Sequence, residues 1–229
     1  MVTSNQNSQG VLTVPTWLGG SIDLSGTKAI ESSVQAAEKR TAGEIVPLIV
    51  QGSTVNASAP ILAVLAFGSL VLVLKHGVWL YEHALGDIDA LWYGLFALAL
   101  IGGIAFGRSK TGQMWLTPKW EKRRQVQQRA LLAFYEAGLN QTAGRTGILL
   151  FVSWRERQAV VLADKGIAQH CAPQTFEAVV AELVRGAKEQ RLGDGFVKAV
   201  GICGEILAKH IPIAEGDRNE LHDTLRIID

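Results

Sequence analysis

The chain has 229 residues and a formal net charge of +1; 48% of its residues are apolar and 19% charged, where about 25% charged is usual for a soluble domain. A net charge this close to zero gives no argument for a nucleic-acid binder, which needs a basic stripe to neutralise phosphates. The missing charge is concentrated: Ile45 to Leu74 and Ala90 to Gly107 contain no Asp, Glu, Lys or Arg, which argues against a purely water-soluble globule, the alternative being a pair of buried core helices in a soluble domain.

Residues 1–24 are rich in Ser, Gln, Asn, Thr and Gly and read as a loose N-terminal tail, with Trp17 and Leu18 as its docking residues. No charged stretch precedes an early apolar run and a small-residue cleavage site, so the N-terminus does not read as a signal peptide. The first part of a folded domain follows over residues 25–54. Ile30, Ser33, Val34 and Ala37 keep helical spacing, with Gly43 in the position of a left-handed C-cap. Glu44 to Val50 then reads as a buried strand, which Pro47 demotes toward an edge or a bulge.

Residues 55–107 read as a transmembrane helical hairpin. A bilayer core of about 30 Å needs about 20 apolar residues of helix, and Val55–Leu74 and Ile88–Gly107 each supply such a stretch. Lys75 to Asp87 is the expected loop, with Trp79, Tyr81, Trp92 and Tyr93 as an interfacial aromatic belt. Phe67-Gly68-Ser69 and Gly102-Gly103 offer small surfaces for helix–helix approach. The loop holds Lys75 alone among basic residues, whereas Arg108, Lys110, Lys119, Lys122, Arg123, Arg124 and Arg129 follow the second span. The positive-inside rule then places both termini in the cytoplasm. Apart from Asp89 at the edge of the second span, no Asp, Glu, Lys, Arg or His lies within either span, which disfavours a channel or transporter.

Residues 108–213 resume the domain. Thr117-Pro118 is an N-cap with proline at the first helical position, and that helix runs to Ala137 before Gly138. Thr146–Ser153 and Gln158–Asp164 form a β-hairpin around the polar turn Trp154–Arg157. Phe176, Val179, Val180, Leu183, Val184 and Ala187 mark a helix broken by Gly193-Asp194-Gly195; Phe196, Val200, Cys203 and Leu207 mark another, closed by Pro212. Residues 214–229 read as an acidic, polar C-terminal tail with a short apolar end. The fold class is therefore α/β, a small sheet flanked by helices, interrupted by the membrane hairpin and needing both sides of it to complete the sheet.

Four blocks resemble the TPM domain family in order and spacing: Arg40-Thr-Ala-Gly-Glu-Ile-Val, Thr146-Gly-Ile-Leu-Leu-Phe-Val-Ser, Arg157-Gln-Ala-Val-Val-Leu-Ala-Asp-Lys-Gly-Ile and Gly193-Asp-Gly-Phe-Val-Lys-Ala-Val. Gly216-Asp-Arg-Asn-Glu-Leu-His-Asp is similar to the C-terminal R-N-E-L-P-D of a bacterial branch, with His222 in place of proline. The resemblance implies the same small sheet flanked by helices. It also implies two alternative activities: an acid-phosphatase-like hydrolase using calcium or magnesium, or an accessory module beside LemA-type membrane proteins. Many family members work outside the cytoplasm, whereas the charge asymmetry here places the domain inside.

No GxSxG, HExxH, P-loop or GxGxxG motif is present, so no nucleophile or nucleotide constellation stands out. The carboxylates best placed for a hard cation are Asp164, at a strand end near Gly166, and Asp194, between Gly193 and Gly195. Their structural alternatives are a turn carboxylate and an N-cap. His170-Cys171 and the loop residues His76, Glu82 and His83 are weaker ligand candidates, and Cys203 lies on an apolar helix stripe. The expected setting is an inner membrane of bacterial type. The partners are the lipid bilayer and a membrane protein, oligomers are compatible with the pattern, and an enzymatic role is left open.

Overall fold

The computed structural model describes residues 14–54, 58–85, 89–213, 220–221 and 223–229, with the backbone alone for 77–85 and 89–90. In chain order the elements are α1 (Leu24–Glu38), β1 (Glu44–Val50), α2 (Ala59–Leu85), α3 (Asp89–Arg108), α4 (Lys110–Leu116), α5 (Lys119–Glu136), β2 (Gly147–Ser153), β3 (Gln158–Ala163), α6 (Lys165–Ala168), α7 (Glu177–Lys188), α8 (Leu192–His210) and β4 (Arg226–Ile228). The chain divides into two compact units, Met1–Ser53 with Val126–Asp229, and Thr54–Gln125.

The first unit is a mixed α/β fold built on a four-stranded sheet of order β3-β2-β1-β4. β1 and β2 pair in parallel from Glu44↔Gly147 to Val50↔Ser153. A parallel pair needs a crossover connection, and here that connection carries the whole of the second unit. β2 and β3 pair antiparallel from Ile148↔Ala163 to Ser153↔Gln158, as the hairpin pattern predicts. In their turn, Arg157 adopts a φ of 53° and its guanidinium lies 3.7 Å over the Trp154 ring.

β1 and β2 are buried along their full length, because helices cover both faces of the sheet. Ile45, Ile49, Ile148, Leu150 and Val152 meet one core with residues of α1, α7 and α8, while Val46, Leu48, Val50, Leu149 and Phe151 meet another with Val126, Ala130, Ala133 and Phe134 of α5. This two-sided burial explains why both strands read as continuous apolar runs rather than as alternating ones. Leu18 is fully buried in the first core, and the Trp17 indole donates to Asp229 Oδ1 at 2.6 Å. The docking expected of Trp17 and Leu18 is therefore present, and the N-terminal segment is folded from residue 14 onward.

Four local expectations need correction. Pro47 does not mark an edge or a bulge, since β1 lies between β2 and β4. Glu44 N–H bonds the Thr146 carbonyl on the β2 side and Gln51 N–H bonds Ile228 on the β4 side, so by alternation the proline nitrogen faces the β4 side. There β4 pairs only with Leu48–Val50, so no ladder bond is lost at Pro47. Gly43 is not a helix cap: α1 ends at Glu38 with Lys39 as its C-cap, and a Cβ at Gly43 would lie 2.9 Å from Leu207 Cδ1. The break before α8 falls at Gln190, with φ 57°, and Gly193-Asp194-Gly195 lies inside the first turn of that helix. Finally, the expected C-terminal tail closes the sheet, because Arg226–Ile228 pairs in parallel with β1.

The second unit contains two helices long and apolar enough to cross a membrane, over Ala59–His76 and Leu91–Arg108, with only 11% and 17% of those residues buried. α2 continues to Leu85, so most of the expected loop Lys75–Asp87 is helix; residues 55–57 and 86–88 lie outside the described residues. A Cβ on Gly103 would lie 2.9 Å from Val64 Cα, and one on Gly107 would lie 2.3 Å from Pro60 Cα. Small residues four apart thus bring the α3 backbone against α2, where Ala59 and Ala63 are buried. A Cβ on Gly68 would lie 3.7 Å from the Phe96 ring, while one on Gly102 would meet open space.

Candidate functional site

Asp164 caps α6, accepting a bond from Lys165 N–H at 2.8 Å. The Arg145 guanidinium grips the same carboxylate from two nitrogens, Nε to Oδ2 at 2.6 Å and Nη2 to Oδ1 at 3.1 Å. Arg145 reaches it from a left-handed residue, φ 53°, in the turn that leads into β2. Gly166 serves that turn. Its N–H bonds the Arg145 carbonyl, and a Cβ there would lie 2.4 Å from the Gly144 oxygen. A cavity of about 240 Å³ lies beside the pair, walled also by Leu131, Tyr135, Asn140 and Lys165.

Asp194 is exposed and pairs with Arg191, Nη2 to Oδ2 at 2.7 Å. The glycines around it serve packing: Gly193 lies against Gly26 of α1, and a Cβ on Gly195 would lie 3.0 Å from Gly186 of α7. The two carboxylates thus stand on different elements, each held by its own arginine. Among the described residues, no three His, Cys, Asp or Glu side chains converge to hold a metal ion. Calcium takes six to eight oxygen ligands, whereas each of these carboxylates is a lone acid already bonded to an arginine.

His170 is exposed while its neighbour Cys171 is buried, so the two do not act as a ligand pair. Cys171 and Cys203 are free thiols in the same core. Burial raises the Cys171 pKa and, with the neighbouring Cys171, pushes Cys203 up to about 12; neither thiol is a ready nucleophile. His76 is exposed, and the side chains of Glu82 and His83 lie outside the described residues.

A different group of carboxylates comes together at the end of α1. Glu38, Glu44 and Asp223 line a cavity of about 290 Å³ with Gln35, Lys39, Thr41 and Ile213. The topology makes this cleft. Glu38 ends α1 and accepts a 2.8 Å bond from Ile45 N–H, at a β1 position that precedes the β4 pairing. Glu44 opens β1, is 7% exposed, and accepts a 3.0 Å bond from Glu220 N–H. Ala143 N–H donates to the Glu220 carboxylate at 2.9 Å. The Thr41 hydroxyl donates to Ile211 O at 2.5 Å and accepts from Gly43 N–H at 3.1 Å. Burial, opposed by the Ile45 N–H and reinforced by the charges of Asp223 and Glu44, raises Glu38 from 4.5 to about 8. The cleft therefore holds one protonated carboxyl at neutral pH beside two other acids, an arrangement able to donate a proton to a bound group.

None of these three acids stands out by residue type and spacing. The available signal is the pair of blocks in which two of them lie: Arg40-Thr-Ala-Gly-Glu44 and Glu220-Leu-His-Asp223 sit at opposite ends of the chain and meet at one cleft.

No family model matches the chain, and no curated protein matches it. Its fold is similar to the NMR structure of the BA42 protein from the psychrophilic bacterium Bizionia argentinensis sp. nov., with a TM-score of 0.56 and 17% identity over 90% of this chain and 94% of that chain. At that identity the likeness concerns the fold alone.

Proposed function

We propose that this chain is a TPM-type domain anchored in the inner membrane by two spans, with both termini cytoplasmic, and that its head is an accessory module for membrane proteins. The carrying observation is the placement of two exposed apolar helices inside the crossover between fully paired parallel strands. The head is thereby tied to the bilayer through its own sheet rather than through a free linker. The seven basic residues that follow the second span support the orientation. A LemA-type membrane protein is the partner class that the family resemblance suggests. The test is alkaline carbonate extraction with topology reporters at both termini, followed by affinity capture in mild detergent. A chain released into the aqueous fraction without detergent overturns the reading.

A second reading, phosphomonoester hydrolysis, is favoured by the neutral Glu38 carboxyl in the acidic cleft, the kind of proton donor a leaving oxygen needs. Asp164 and Asp194 give it no support, each being engaged by an arginine. Purified protein assayed on a generic phosphomonoester, with and without calcium or magnesium, decides it. Turnover abolished by Glu38→Gln supports the hydrolase, and no turnover under any metal ends it.

A further inference from the structure

We propose that the segment from Ser109 to Arg124 is an elbow lying in the plane of the bilayer surface, where it reads anionic phospholipid headgroups; the inference rests on the membrane-anchored reading. Its shape is fixed at both bends. At the first, the Ser109 hydroxyl donates to Phe106 O at 2.6 Å and accepts from Gly112 N–H at 2.9 Å. Gly112 passes so close that a Cβ would lie 1.9 Å from the Phe106 oxygen. The chain therefore turns at the end of the apolar stretch Leu91–Arg108 instead of continuing along it. At the second bend the Thr117 hydroxyl donates to Gln113 O at 2.6 Å, back into α4 rather than as the expected cap of α5, and Pro118 stands just before α5, its carbonyl accepting the Lys122 N–H.

What the elbow presents is amphipathic in the manner of an interface. Trp115 is 82% exposed and Trp120 66% exposed, one on each side of the second bend. Such exposure of two indoles is unfavourable in water and favourable at headgroup depth, where tryptophan concentrates. Around them stand Lys119, Lys122, Arg123 and Arg124, with Lys110 one bend earlier and Glu121 the sole acid in the segment. Glu121 is shared between Arg124, at 3.7 Å, and the Gln125 amide, at 2.9 Å. Trp120, Arg123 and Arg124 fall at helical spacing i, i+3 and i+4, on one face of α5. Each basic group near an anionic leaflet adds about fivefold to partitioning. The charge complementarity therefore selects an anionic lipid surface rather than a zwitterionic one.

The full chain, reconstituted in vesicles of phosphatidylcholine alone or with added phosphatidylglycerol, tests this with lipids brominated at shallow or deep acyl positions. The Trp115 and Trp120 signal is isolated by subtracting the emission of a Trp115→Phe/Trp120→Phe variant. Shallow bromine is expected to quench these two residues more strongly in the anionic vesicles. That increment is expected to vanish at high salt and in a Lys119→Gln/Lys122→Gln/Arg123→Gln/Arg124→Gln variant. Equal quenching in both vesicle types overturns the lipid assignment, as does none in either, the outcome for an elbow covered by an acidic protein. A Leu98→Trp substitution, at the exposed middle of the stretch Leu91–Arg108, reports the span separately through the gain in deep-bromine quenching over the unaltered chain: that gain with a silent elbow leaves the anchor intact and ends the elbow inference, whereas its absence ends both.

Discussion

Among the described residues, three that are not glycine, Arg145, Arg157 and Gln190, occupy the left-handed region, and their contexts differ. Gln190 is exposed and follows the α7 C-cap, with the Arg191 N–H returning to the Gly186 carbonyl in a Schellman ending. Gln190→Gly is therefore expected to raise stability by about 0.5–1 kcal/mol, read by thermal unfolding in detergent. Arg145 earns its conformation through Asp164. Asp164→Ala removes both the α6 cap and the half-exposed arginine pair, so a loss of about 2 kcal/mol is expected. Calorimetric titration with calcium should give the same blank for Asp164→Ala as for the unaltered protein. Glu38 carries the pH dependence. Its folded pKa of about 8 lies above the ordinary 4.5, so the native state holds the proton longer than the unfolded chain does. Its stabilising contribution is complete below about pH 4.5, declines as pH rises, and is lost through pH 8. Glu38→Gln keeps an acceptor for Ile45 N–H and is expected to flatten the fall in melting temperature between acid and alkaline pH.

At the level of elements, Gly103 and Gly107 set how closely α3 approaches α2. Gly107→Leu drives a side chain into the Pro60 backbone and is expected to separate the helices; faster proteolysis of α2 and α3 in detergent would register it. The same scale shows what the sequence makes legible. Gly147–Ser153 and Gln158–Ala163 are readable because a polar turn of four residues separates two apolar runs of strand length. The α5 boundaries are readable because Pro118 and Gly138 punctuate them, the latter at φ 74°. β4 is not readable: three residues carry no periodicity, and their pairing is set by the edge of β1 opposite β2, at Leu48–Val50. The acidic cleft is hidden for a related reason. Glu38 and Asp223 stand far apart in the chain, and only the β1–β4 pairing brings their segments to one end of the sheet. Asp164 and Asp194 look like cation ligands because glycines flank them; those glycines instead serve close backbone approaches, which spacing alone does not distinguish.

For the whole molecule, the two units make different demands of solvent. The sheet unit has helices on both faces and buries its own core, whereas the apolar stretches of the other leave most of their residues uncovered. Replacing Thr54–Leu116 with a flexible Gly/Ser linker, while keeping α5 whole, is therefore expected to yield a water-soluble head. Size-exclusion chromatography without detergent and amide protection across β1 and β2 would check it. An aggregated product would mean that the head depends on its anchor for more than attachment.

The strand order also sets a timetable for biosynthesis. β1 leaves the ribosome early, but its neighbours are β2, encoded beyond both apolar helices, and β4, encoded later still. Until β2 has been made, out to Ser153, this aliphatic ribbon has no partner on either side. If α2 and α3 are the spans proposed above, the insertion machinery receives them before the head exists, and folding is completed only after the chain has been committed to the bilayer.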